Sequence, residues 1–364
     1  MQTEYENRVF QIVDEDHDQF TAGSKAPADV RQIAQTMGFS KIVIPCGSHQ
    51  ISFVLLSKVI RAFILIWRVC AIPFKSIILV QFPEQTSTTR LGLSFLRLAS
   101  RFKLCRVIVL IHDINMLRED DNSQTDSLDP CLNRIVSVSH VLIVHNAHMR
   151  TWLSQRGVSE DKMVDLGLFD YLTAISPRSY VAKTLPSRLY HNSVIVAGNL
   201  DPVKCGYVWK LGTVSGIVWN LYGRCSSDKI QFPSNVKYCG CFIPEELPAK
   251  LEGDFGLVWD GDSVDSCVGK FGNYLRYNNP HKLSMYLASG IPVIVWRESA
   301  VADLVEKEGV GIAVSSLKTL GSVLRGLDET SYERMRDRVQ RLSEQVRRGD
   351  LFRQALRSAV LKCM

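Results

Sequence analysis

The stretch Phe255-Gly256-Leu257-Val258-Trp259-Asp260-Gly261-Asp262 through Tyr277-Asn278-Asn279-Pro280-His281-Lys282 to Gly290-Ile291-Pro292-Val293-Ile294-Val295-Trp296 decides the fold. It reads as an apolar strand, an acidic loop, a Gly-rich polar linker, a short amphipathic helix and a second apolar strand. Asn279 suits the N-cap and Pro280 the first helical position, where no N–H is lost. Leu283, Met285, Tyr286 and Leu287 give the helix an apolar side. Gly290 is the expected C′ residue, and Pro292 blocks continuation. The helix N-terminus, with Lys282 in its first turn, then offers unbonded N–H groups and partial positive charge at a sheet edge. That is a seat for a diphosphate, each charge-assisted contact there being worth roughly 1.5–3 kcal/mol.

Working outward, strand and helix patterns alternate on both sides of this stretch. The chain of 364 residues suits two domains of about 150 residues each. The first begins with strand Val9–Val13, a small-residue loop and a helix over Ala26–Met37, the opening half-unit of a doubly wound α/β fold. No G-x-G-x-x-G follows that strand, which counts against a dinucleotide site. Strands Ser76–Gln81 and Arg106–Ile111 end in polar residues, and strand carboxyl ends face the ligand crevice in such sheets. His112-Asp113 is therefore a candidate acid–base pair, against the alternative of a loop that only closes the turn. Residues 1–172 form the first domain, 173–192 a Pro- and Ser-containing linker, 193–329 the second domain, and 330–364 a charged helical segment.

The net charge is +6, but residues 51–110 hold Lys58, Arg61, Arg68, Lys75, Arg90, Arg97, Arg101, Lys103 and Arg106 against the single acid Glu84. Such a lobe favours an anionic partner. Ile51–Ile72 is apolar but broken by three bases that fall within about 80° of one another on a helical wheel, so it does not read as a membrane span. Two readings stand: a core helix with one wet face, or a helix that also rests on an anionic membrane where a lipid-linked acceptor would lie. The cysteines are scattered through apolar contexts with no signal-peptide pattern before them, which fits reduced thiols in the cytoplasm. Cys239-Gly240-Cys241 lacks a second pair at zinc spacing, and His145 with His148 lacks a third ligand, so neither reads as a metal site. Asp260-Gly261-Asp262 after an apolar strand has two readings, a structural or hydroxyl-binding loop and a cation site.

Val196-Ala197-Gly198-Asn199-Leu200, the stretch quoted above, Thr21-Ala22-Gly23-Ser24-Lys25-Ala26 and Ile111-His112-Asp113 resemble one bacterial family of GT-B glycosyltransferases. It contains the glucosyltransferases that extend GlcNAc on serine-rich adhesins and the β-1,6-galactofuranosyltransferases of surface polysaccharides. The resemblance implies two Rossmann-like domains facing across a cleft, and the charged helical segment 330–364 reads by itself as a surface helix pair crossing back to the first. It implies an inverting transfer of a hexosyl unit, galactofuranose or glucose, from a UDP-sugar to a glycan acceptor, lipid-linked or on a glycoprotein. A homo-oligomer, no metal or other cofactor and no nucleic acid are expected. By position, Lys282 grips the diphosphate, Phe242 stacks on uracil, and Thr21 with Gly23 approaches the phosphates from the first domain. Asn199, Asn279 and Gly290 complete the donor set. The base expected four positions after Gly198 is Pro202 here, which leaves Lys204 to reach over. Met285 replaces the ribose-binding Glu of wider GT-B helices. Two alternatives share the fold: a UDP-sugar epimerase, and a UDP-binding partner subunit without turnover.

Overall fold

The computed structural model describes residues 8–13, 22–44, 54–118, 127–174, 191–202, 205–225 and 232–364. Two six-stranded sheets, parallel at every described pairing, form the two halves. The first contains β1 (Val9–Val13), β2 (Ser40–Val43), β3 (Ile77–Phe82), β4 (Arg106–Ile111), β5 (Val141–Val144) and β6 (Met163–Asp165), in the order β2-β1-β3-β4-β5-β6. The second contains β7 (Ser193–Ala197), β8 (Val218–Tyr222), β9 (Val236–Gly240), β10 (Phe255–Val258), β11 (Val293–Trp296) and β12 (Gly311–Val314), in the order β12-β11-β10-β7-β8-β9. Each order reverses once, between β1 and β3 and between β7 and β10. The crevice of a doubly wound sheet opens at such a reversal, beyond the strand carboxyl ends.

Strands β3, β5, β10 and β11 are buried along their whole length. Covered on both faces, they are continuously apolar in sequence, apart from Gln81 near the end of β3, instead of alternating. The helix predicted over Ala26–Met37 runs Ala22–Thr36, starting earlier and carrying Pro27 inside it. The helix of the deciding stretch spans His281–Ala288, one residue later than expected, with Pro280 in the capping place and no side-chain cap. Its end is as read. Gly290, at φ 76°, donates to Leu287 O, and Ile291 donates to Tyr286 O, a Schellman closure.

Tyr286 locks this helix under the second sheet. Its hydroxyl accepts from Ala197 N and donates to Ile195 O, and its ring lies where a Cβ on Gly256 would come within 2.2 Å. Gly256→Ala is therefore expected to destabilise the protein by about 1–3 kcal/mol through overpacking, read as a lowered denaturant midpoint. An unchanged midpoint would show that the ring moves aside freely.

The C-terminal helices do cross back. Helix Glu329–Arg348 lies on the second half, where Ser343 Oγ donates to Ala288 O. The chain turns at Gly349, and helix Asp350–Lys362 lays Phe352, Ala355, Leu356 and Ala359 against Val30, Ile33, Ile108 and Ile143 of the first half. Asp170, from the end of the first half, accepts from Leu351 N and Phe352 N and so caps that last helix from a distant point in sequence. Burial pushes the Asp170 carboxyl up to about 7 against those two donors. Beside it, Leu172 is held by Asp29 and Lys25, which are themselves ion-paired, and Tyr171 donates from its hydroxyl to Pro244 O. Most of the predicted linker (175–190) lies outside the described residues.

Candidate functional site

At the carboxyl edge of the second sheet, β7, β8 and β9 each run into glycine: Gly198 (φ 140°), Gly223 (φ 146°) and Gly240 (φ 107°). Gly198 N donates to Tyr222 O and Gly223 N to Gly240 O, so the three lie side by side. A Cβ on Gly223 would meet Gly198 O at 1.7 Å. The row leaves a floor of bare backbone beside the β7/β10 reversal, where a ligand can approach the main chain closely. Asn199 and Phe242 border it. Asn199 Oδ1 accepts from Asp201 N, and the Phe242 ring lies 6.4 Å from Tyr222 and close to Gly240.

Across the reversal, Lys282 Nζ donates to Trp259 O and to Asp260 Oδ1, each at 2.8 Å. Burial opposes the ammonium charge, but Asp260 outweighs it and raises the Lys282 pKa, so the side chain stays a cation. Two of its three N–H donors are engaged, which leaves one for an incoming anion. Asp260 thus holds a lysine, and also accepts from Cys205 Sγ. Among the described residues no group of three His, Cys, Asp or Glu side chains is arranged around a metal position. Gly290 closes the far end of the helix that Lys282 opens, about 12 Å away at 1.5 Å per residue. The structure gives it the capping role.

The facing edge of the first half carries a cluster of histidines. His112 follows β4, its Nε2 2.6 Å from Gln81 Oε1 and its ring stacked on Phe169 at 5.3 Å. Gln81 presents its acceptor oxygen because its amide donates to Pro27 O, so His112 carries its proton on Nε2. His145 follows β5; its Nδ1 accepts from Asn279 N, which puts its own proton on Nε2, toward Ile111 O. With both nitrogens engaged, His145 has no lone pair for a metal. His281, from the second half, lies edge-on to Phe169 and reaches Asp170 O. Burial, reinforced for His112 by the neighbouring His145, His281 and Arg31, lowers His112 to about 3, and burial lowers His145 and His281 to about 4.

All three histidines are therefore neutral in the fold, while an unfolded histidine titrates near 6.5. Below that value the unfolded chain takes up protons that the folded chain refuses. Stability is then expected to fall as pH drops from about 6.5 toward about 4, read as a declining melting temperature. A flat profile over that window would contradict it.

Asp113 lies beside His112. Its Oδ1 accepts from Arg118 Nη2 at 2.6 Å and from the Tyr274 hydroxyl at 3.1 Å. Tyr274 belongs to the second half, and its hydroxyl oxygen also accepts from Ile114 N. Among the described residues no donor reaches Oδ2, so that oxygen is open to a proton. Asn279 is not the helix cap expected from sequence but a second bridge. Its amide donates to His145 O and Gly167 O while Oδ1 accepts from Asn146 Nδ2. At 4 % exposed it faces the first half, with both ends of its side-chain amide engaged there.

Thr21 and Lys204 lie outside the described residues, and Gly23 lies within the first helix. Arg224, exposed at the end of β8 with its carbonyl accepting from Leu200 N, is a cation the sequence reading passed over at the glycine row. Tyr274 and Phe169 were also missed, and Gln81 was read as a polar strand end without a role. Phe169 stands just beyond a strand carboxyl end, and extending the edge rule to every strand would have found it.

Residues 9–168 match the glucosyltransferase 3-like N-terminal domain and residues 194–359 its C-terminal domain. The chain is 32 % identical over 346 residues to the β-1,6-galactofuranosyltransferase WbbI of Escherichia coli K12, covering 93 % of this chain and 94 % of that one. It is 26 % identical over 261 residues to glucosyltransferase 3 of Streptococcus gordonii, covering 71 % and 72 %. Among solved structures, Anabaena Alr3699/HepE in complex with UDP superposes with a TM-score of 0.60 at 14 % identity, covering 97 % and 99 %. The lipopolysaccharide outer core galactosyltransferase WaaB superposes with a TM-score of 0.57 at 11 % identity, covering 96 % and 99 %.

Proposed function

The chain belongs to the glucosyltransferase 3-like family, and on that premise we propose how its two halves carry out glycosyl transfer. It is a UDP-sugar-dependent hexosyltransferase of GT-B fold, moving galactofuranose or glucose to a hydroxyl of an acceptor glycan. The observation that carries the mechanism is the Tyr274–Asp113 hydrogen bond, which joins the donor half to the acid–base edge of the acceptor half.

The nucleotide lies on the floor formed by Gly198, Gly223 and Gly240, with Phe242 against the base. Arg224 supplies the cation that Pro202 cannot. The diphosphate meets Lys282 and the N–H groups at the start of helix His281–Ala288, which have no partner within the helix. Asp113 Oδ2 takes the acceptor proton while the acceptor oxygen attacks the anomeric carbon from the side opposite UDP, giving inversion in a single displacement. Lys282 stabilises the charge that grows on the departing UDP, so the protein provides there what a metal would otherwise provide.

Asp113 is favoured over His112 on charge. Protonating a carboxylate removes a charge, whereas protonating His112 creates a cation that burial, His145, His281 and Arg31 all oppose. His112 stays neutral and orients the acceptor. Incubation with a panel of UDP-sugars, with and without acceptor glycans, tests the whole reading. Acceptor-dependent UDP release is expected. Isomerisation without acceptor would indicate an epimerase, and binding without turnover a partner subunit.

A further inference from the structure

One surface of the first half is explained neither by the core nor by the cleft. Helix Val54–Ala71 packs Leu65 and Val69, with Ile72 just beyond its end, into the core. Its other face is also apolar. Phe63, Ile66, Trp67 and Cys70 recur at i, i+3, i+4 and i+7 and all face solvent, Phe63 being 72 % exposed and Ile66 and Trp67 57 % each. The patch continues past the helix through Phe74, Phe102 and Leu104, each more than half exposed.

These segments adjoin. Lys75 N donates to Lys103 O, Lys103 Nζ donates to Cys70 O, and the same ammonium sits 4.8 Å over the Phe74 ring. Arg68 lies over Trp67 at 5.0 Å. Exposed Arg97, Arg101 and Arg106 follow on the neighbouring helix and strand. The only acid between residues 54 and 112 is Glu84, which is paired with Arg31. A contiguous apolar patch of this size on a soluble surface marks an interaction site.

We propose that this face docks on an anionic lipid surface, with the aromatic and aliphatic side chains entering the headgroup boundary and the surrounding lysines and arginines meeting lipid phosphates. Aromatic rings set among bases on one amphipathic face are the arrangement that such surfaces bind. The charge decides against a second copy of the chain. Face-to-face pairing would bring the bases of both copies together with no acid in this segment to answer them, whereas anionic headgroups satisfy the apolar and the basic groups at once. The inference does not rest on the transfer mechanism.

The test is co-sedimentation of the full chain with vesicles of phosphatidylcholine alone or of phosphatidylcholine with phosphatidylglycerol, at low and high salt. Wild-type protein is expected to pellet with the anionic vesicles only, and less so as salt rises. The double variant Phe63→Ser/Trp67→Ser and the double variant Lys75→Glu/Arg101→Glu should each lower the bound fraction by about tenfold or more. Since these side chains are exposed, melting temperature and turnover on a soluble acceptor should stay at wild-type values. Wild-type protein left in the supernatant, equal binding to neutral vesicles, or variants that pellet like wild type would each overturn the proposal. So would an oligomer seen by sedimentation velocity that Phe63→Ser/Trp67→Ser dissolves while no vesicle binding occurs.

Discussion

Lys282→Ala is expected to lose about 10²-fold or more in turnover, the cost of removing one preorganised charge from a developing anion. The loss should fall on kcat more than on UDP affinity, because the charge on the departing diphosphate grows only as the glycosidic bond breaks. One structural complication needs a control. Asp260, whose side chain is 14 % exposed, loses its ion-pair partner in this variant, and an uncompensated half-buried carboxylate costs about 1–3 kcal/mol. Adding Asp260→Asn to Lys282→Ala should restore the melting temperature without restoring turnover. Recovery of turnover in the double variant would mean that Lys282 acts only by holding Asp260, and the leaving-group role would be lost.

Asp113→Asn is expected to lower kcat by about 10²–10⁴-fold, the range for a missing general base. The amide oxygen can still accept from Arg118 and Tyr274, so the contact between the halves survives and only proton acceptance disappears. UDP binding, followed by calorimetry, should match wild type. If His112→Gln abolished turnover while Asp113→Asn retained it, the two roles would be exchanged.

The fold was legible wherever local pattern and tertiary environment agree. Strands β1 and β7 have the bounds that their apolar runs imply, and Gly290 with Pro292 marks the helix stop where the structure has it. The charged C-terminal segment was readable as helical. A helix pair crossing back to the first half was expected from the same pattern, but the Gly349 break was not read, and the capping of the last helix depends on the distant Asp170. The site was legible in part, since His112 and Asp113 stand at a strand carboxyl end, where ligands bind. Asn279 misled because the residue type that caps a helix also makes a good buried bridge. Only tertiary contact with His145 and Gly167 distinguishes the two. The Lys25–Asp29 clamp on Leu172 was invisible for the same reason: its partner is 147 residues away in sequence.

The docking of helix Asp350–Lys362 on the first half has a consequence for the order in which the protein can mature. The layer that covers Val30, Ile33, Ile108 and Ile143 leaves the ribosome only after the strands of both sheets have been made. At about 5–20 residues per second, the roughly 180 residues between Asp170 and its capping partners take about 10–40 s to make. For that interval a nascent first sheet stands with one side uncovered, a natural place for a holding chaperone, and a message truncated just after Gly349 would yield a chain that never loses that need.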